Sequence, residues 1–145
     1  MQIPWYVTAL GAALVWGIHY PLIDFAMRRL SVYSVLLLSV IPVVLVMPLF
    51  TRQLARDVGV FKELPATEQW LISAIGLTST LGAVLLYLSI NSKNATLASL
   101  IEITYPAFVV VFAWLIFRQM HLNANVIIGG VLILVGSGLV IYHSR

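Results

Sequence analysis

Five apolar runs, each long enough to cross a bilayer as an α-helix, leave this chain almost no sequence from which to build a water-soluble fold. They extend from Pro4 to Met27, Val32 to Phe50, Gln69 to Ile90, Ala95 to Phe117 and Asn123 to Tyr142. A hydrocarbon core of roughly 30 Å is crossed by about 20 helical residues rising 1.5 Å each. Of 145 residues, 61% are hydrophobic and 9% charged, and mean hydropathy is +1.04. A soluble domain of this length cannot bury that much apolar surface, so the solvent is lipid. Backbone at membrane depth must satisfy its own hydrogen bonds. The expected fold is therefore an all-α integral membrane protein, a five-transmembrane-helix bundle forming a single domain over residues 1–145.

The connections are tight turns except Thr51 to Glu68, which carries Arg52, Arg56, Asp57, Lys62, Glu63 and Pro65 and reads as an amphipathic surface segment. Trp5, Tyr6, Trp70 and Tyr142 fall near segment ends, at headgroup level. No basic region precedes the first apolar run, which is also too long for a signal peptide and reads as a retained membrane helix. Helices joined by short turns alternate in direction. Arg52, Arg56, Lys62 and Arg118 then lie on the N-terminal side of the membrane, and Arg28, Arg29, Lys93 and Arg145 on the other. Loop charge asymmetry normally sets orientation. An even split leaves two readings open: insertion in both orientations, which permits an antiparallel homodimer, or a single orientation dominated by the long loop.

Several function classes are excluded. The net charge of +3 is scattered between apolar runs, so no basic stripe exists to hold a nucleic acid. The chain has no cysteine, which removes thiol chemistry and Cys-ligated zinc. No phosphate loop, GxSxG or HExxH occurs, nor a His or carboxylate cluster with metal-ligand spacing, so neither an enzyme nor a metal or other cofactor is expected. Asn94, Ala95 and Thr96 form a glycosylation sequon hard against a helix start, where such a triplet is usually coincidence.

Ionisable residues within membrane helices are costly and mark functional candidates. There are three: His19, Asp24 and Glu102. At 1.5 Å per residue, all three fall in the half of the bundle nearest the Arg28 and Ala95 helix ends. Proline removes a helical hydrogen bond and frees the carbonyl four residues earlier. Pro21 and Pro106 therefore expose the Gly17 and Glu102 carbonyls beside the candidates, and Pro42 breaks the second helix likewise. Interrupted helices near the midplane are how many transporters offer polar backbone to a substrate. Trp16 and Tyr105 lie one turn from His19 and Glu102, with π faces suited to a cationic or zwitterionic solute. Thr78, Ser79 and Thr80 add hydroxyls. Asp24 also precedes Arg28 by four residues, the spacing of a structural ion pair, and His19 can be a hydrogen-bonded packing residue. Glu102 has no basic residue at i+3 or i+4. In the last helix Gly129 and Gly136, seven apart, share a face beside Gly130 where backbones can approach closely; the partner helix is either in this chain or in a second copy.

Two stretches resemble a known family. Ala13 to Met27, ALVWGIHYPLIDFAM, is similar to the opening helix of the EamA branch of the drug/metabolite transporter superfamily. Ala98 to Ile141, which contains SLIEITYPAFVVVFAWLIFRQM, is similar to the last two helices of an EamA repeat. Typical members carry two inverted five-helix repeats, so the resemblance implies that this chain corresponds to one. It further implies a bacterial or archaeal cytoplasmic membrane and a second, inverted copy to complete the carrier. The last two helices also resemble those of the small multidrug exporters, antiparallel homodimers with a glycine heptad at the dimer contact. Two features depart from these patterns. The first-helix acidic residue of the small multidrug exporters has no counterpart among Leu14, Val15, Trp16 and Gly17. The frequent Gly-Glu pair after the penultimate helix is Arg118 and Gln119 here.

The leading expectation is an exporter of small metabolites such as amino acids, working as an antiparallel homodimer by alternating access. Glu102, Tyr105, Trp16, His19 and Asp24 are its candidate site residues, and Gly129, Gly130 and Gly136 its packing face. Its partners are then membrane lipid, a small-molecule substrate and a second copy. The alternatives are a proton-coupled cation or drug antiporter using Glu102, and a non-transporting membrane subunit of a larger complex.

Overall fold

The computed structural model describes residues 3–119 and 123–143; Arg145, counted above on the second side, lies outside them. Among the described residues every regular element is helical: α1 (Trp5–Met27), α2 (Val32–Val46), α3 (Thr51–Glu63), α4 (Ala66–Ser92), α5 (Ala95–Glu102), α6 (Tyr105–Phe117) and α7 (Ala124–His143), with a 3-10 turn over Met47–Phe50. Five helical stretches are long and apolar enough to cross a membrane, with α5 and α6 together forming the fourth. The expected five-span bundle is borne out.

Helix starts are set by side chains that accept otherwise unpaired N–H groups. Ser31 Oγ accepts from Ser34 N–H at 3.3 Å, Asn94 Oδ1 from Leu97 N–H at 2.8 Å and Asn123 Oδ1 from Val126 N–H at 2.9 Å. The Asn94 sequon is thus a helix cap. Helices α1 and α2 continue through Pro21 and Pro42, which leaves the carbonyls four residues before them without a main-chain donor. The fourth span does break. Pro106 cannot donate to the Glu102 carbonyl, and the ladder gives way to shorter bonds, Thr104 N–H to Ile101 O at 3.1 Å and Ala107 N–H to Thr104 O at 3.0 Å. The stretch after Phe50 expected as an amphipathic surface segment is largely the helix α3.

The bundle is packed at one end only. Its buried core is Ile23, Val35, Tyr87, Ile90, Ala95 and Ala98, all near the α1–α2 and α4–α5 turns, which lie on one membrane face. There α5 is the hub, packing against α1, α4 and α7, while α2 packs against α4 and α1. Towards the other face the described helices are covered far less: residues 3–18 and 40–60 are exposed throughout, and α6 has no buried residue.

Candidate functional site

Just inside the packed end, polar side chains from four spans form a layer. Tyr20 lies eight positions from Arg28, Ser39 eight from Ser31 and Glu102 eight from Asn94, so at 1.5 Å per residue all three sit about 12 Å from that end. Tyr20 donates its hydroxyl proton to Glu102 Oε2, joining α1 to α5. Beside this pair, Tyr87 OH bonds Ser39 Oγ at 2.7 Å and approaches His19 Nε2 at 3.5 Å, linking α4, α2 and α1. Each group has a low-dielectric setting in which an unpaired polar atom is costly, and among the described residues no buried side-chain polar atom lacks a partner.

Trp16 stands one turn further from the packed end. Its ring meets His19 edge-on at 5.1 Å between centroids and lies 5.8 Å from the Tyr20 ring, so indole, imidazole and phenol form a continuous aromatic surface on α1. A cavity of about 270 Å³ opens between α1 and α2, lined by His19, Leu22, Ile23, Val35, Ser39 and Pro42. Only His19 and Ser39 are polar in that set. The layer can therefore offer a carboxylate, an imidazole, hydroxyls and π faces beside an apolar cavity, which is the mixed lining of a small-molecule site; it presents no nucleophile–base pair.

The remaining sequence candidates are placed as follows. Asp24 is half-buried outside the layer, where its Oδ2 faces the Ala95 N–H at 3.5 Å. A carboxylate there answers an unpaired donor and the positive end of the α5 dipole. Tyr105 is 59% exposed and lines an apolar groove on α6 with Phe108, Val109, Phe112 and Phe117. Thr78 and Thr80 turn back on their own helix, donating to Ala74 O and Gly76 O, both at 2.8 Å. On α7, Gly136 is exposed and Gly129 and Gly130 are half-buried, and a Cβ added at any of the three would meet nothing within 4 Å. Helix α7 is tied to α5 by Ser137 Oγ, buried, donating to Leu100 O at 2.9 Å.

Sequence reasoning missed Tyr20, Ser39 and Tyr87. A phenol at mid-membrane needs a hydrogen-bond partner, and Tyr20 and Glu102 share a depth, so that signal was available for one of the three.

Five apolar spans define a polytopic α-helical membrane protein. The profile of the EamA-like transporter family matches residues 3–142, and the chain belongs to that family. Its members are membrane transporters of the drug/metabolite type, not enzymes, and five spans fit one repeat of such a carrier. No curated protein and no solved structure matches the chain.

Proposed function

We propose that this chain exports small amphipathic metabolites, amino acids among them, by alternating access as an antiparallel homodimer. One observation carries the reading: the layer in which Glu102, held by Tyr20, lies beside the His19–Tyr87–Ser39 chain and the Trp16 ring. A carboxylate with aromatic faces suits an ammonium group, and the neighbouring apolar cavity suits a short side chain. The layer lies between a packed end and a largely exposed half, as a site alternately open to each side requires. The even charge split and the open space beside Gly129 and Gly136 support pairing with an inverted copy. In this reading the carrier sits in a bacterial or archaeal cytoplasmic membrane, with the family resemblance in support.

Flux of radiolabelled amino acids through vesicles containing the purified chain tests this. Glu102→Gln keeps the shape and removes the charge, and is expected to lower flux at least tenfold, about 1.4 kcal/mol of lost interaction. Tyr20→Phe frees the carboxylate and is expected to lower flux several-fold. Wild-type rates in Glu102→Gln would remove Glu102 from the site. Absence of flux with any small solute, together with stable copurification of another membrane protein, would point to a subunit of a larger complex.

A second reading rests on Glu102 being the carboxylate of this layer: antiport of a cation against protons. Proton uptake on addition of substrate, abolished in Glu102→Gln, distinguishes it from uncoupled export.

A further inference from the structure

Helix α3 is an amphipathic element in a chain otherwise made of apolar spans, and the transport reading assigns it nothing. At 100° per residue, Leu54, Val58 and Phe61 fall on one face, while Arg52, Arg56 and Glu63 fall on the opposite one with Lys62 and Asp57 at its borders. Leu54 and Val58 are exposed. Arg52 and Arg56 are one turn apart, a like-charge spacing that disfavours an isolated helix, and neither has an acidic residue three or four positions away.

The direction of α3 follows from three fixed points. The Ser39–Tyr87 hydrogen bond sets the register of α2 against α4. From that level the end of the 3-10 turn at Phe50 stands about 19 Å along α2, and Gln69 about 27 Å along α4. Gln69 Nε2 donates to Leu64 O at 2.9 Å and Phe61 O at 3.1 Å, which holds the far end of α3 against the start of α4. A helix of 13 residues, about 20 Å long, therefore gains only about 8 Å of height between these anchors and runs closer to the membrane plane than to its normal. The turn is made where Pro48 lies in the first turn of the 3-10 segment and Phe50 leaves helical geometry at φ −112°, ψ 16°.

We infer that α3 is an interfacial helix that sinks Leu54, Val58 and Phe61 into the headgroup boundary of the chain's own bilayer and holds anionic lipid headgroups with Arg52, Arg56 and Lys62. An apolar face on a helix lying in the plane at the mouth of two spans meets the acyl boundary. Its cations, on long stems that reach back to headgroup level, supply the charge complementarity to phosphate.

The chain has no cysteine, so single-cysteine variants carrying an environment-sensitive fluorophore report on chosen positions of the full chain. Val58→Cys samples the apolar face and Gly59→Cys the polar side. In vesicles of phosphatidylcholine with one-third phosphatidylglycerol, the label at 58 is expected to be at least threefold less quenched by aqueous acrylamide than that at 59. In pure phosphatidylcholine, or with Arg52→Gln/Arg56→Gln, that protection is expected to fall at least twofold. Equal quenching at the two positions in both vesicle types overturns the interfacial placement. Protection indifferent to phosphatidylglycerol and to the double substitution overturns the anionic headgroup contact. Protection that appears only with added soluble protein assigns the face to a protein partner and overturns both.

Discussion

Arg118 holds a backbone conformation that favours glycine, with φ 55° and ψ 26° at the end of α6. It closes the helix in the usual left-handed way: its own N–H bonds Trp114 O at 3.0 Å and the Gln119 N–H bonds Ala113 O at 3.2 Å. A side chain here costs about 1 kcal/mol of backbone strain. Arginine recovers part of that by resting its guanidinium 5.3 Å from the Trp114 ring centroid, worth about 0.5–1 kcal/mol at an exposed site. Arg118→Ala loses the ring contact and keeps the strain, whereas Arg118→Gly loses the contact and relieves the strain. The alanine variant is therefore expected to be less stable than the glycine variant by about 1 kcal/mol, with wild type close to the latter. Unfolding in mixed detergent, following helical circular dichroism, gives that order.

At the scale of elements, α5 joins the packed end together, because Ala95 and Ala98 are buried and Asn94 and Asp24 both serve its first turn. Removing the cap with Asn94→Ala is expected to cost about 1 kcal/mol, and Asn94→Ser, which can still accept from the Leu97 N–H, to restore most of it; the same detergent unfolding measures both. Equal stability of the two variants would show that Asp24 alone secures this helix start. Spans and turns were legible in the sequence, because each depends on local hydropathy; the caps depend on one residue against its own helix, yet Asn94 reads there only as part of a sequon. The depth of His19 and Glu102 was legible from local hydropathy too. The pairing of Tyr20 with Glu102, and of Tyr87 with Ser39 and His19, was not, since it depends on how one helix is rotated and shifted against another. Tyr105 shows the point from the other side. Its position one turn from Glu102 assumed a continuous helix, and the break at Ile103 and Thr104 falls between the two residues, leaving Tyr105 on the exposed groove of α6.

For the whole molecule, the decisive quantity is uncovered surface. The chain exposes 11965 Å², against about 7,400 Å² for a water-soluble protein of its mass. Lipid can take much of that excess, but lipid needs no glycine, and on α7 Gly136 is exposed, with open space within 4 Å of a Cβ added there or at Gly129. Small residues on an unfilled membrane-helix face favour close approach of a second helix. If two α7 helices meet there, their relative direction is readable from chemistry. Gly129 and Gly136 are about 10.5 Å apart along the axis, whereas a disulfide joins Cα atoms about 5.5–6 Å apart. Parallel helices bring like positions together, so Gly129→Cys in both copies crosslinks and a mixture of Gly129→Cys with Gly136→Cys does not. Antiparallel helices crossing between the two glycines reverse this, the mixed pair crosslinking well and each variant poorly with itself. Differently tagged copies, coexpressed and oxidised in native membranes, separate the outcomes on a gel without interference from other cysteines, since the chain has none. The antiparallel homodimer predicts the mixed crosslink at severalfold higher yield, together with a C-terminal topology reporter active on both sides of the membrane. Reporter activity on one side only excludes an inverted copy, and the completing half of the carrier must then be a different chain.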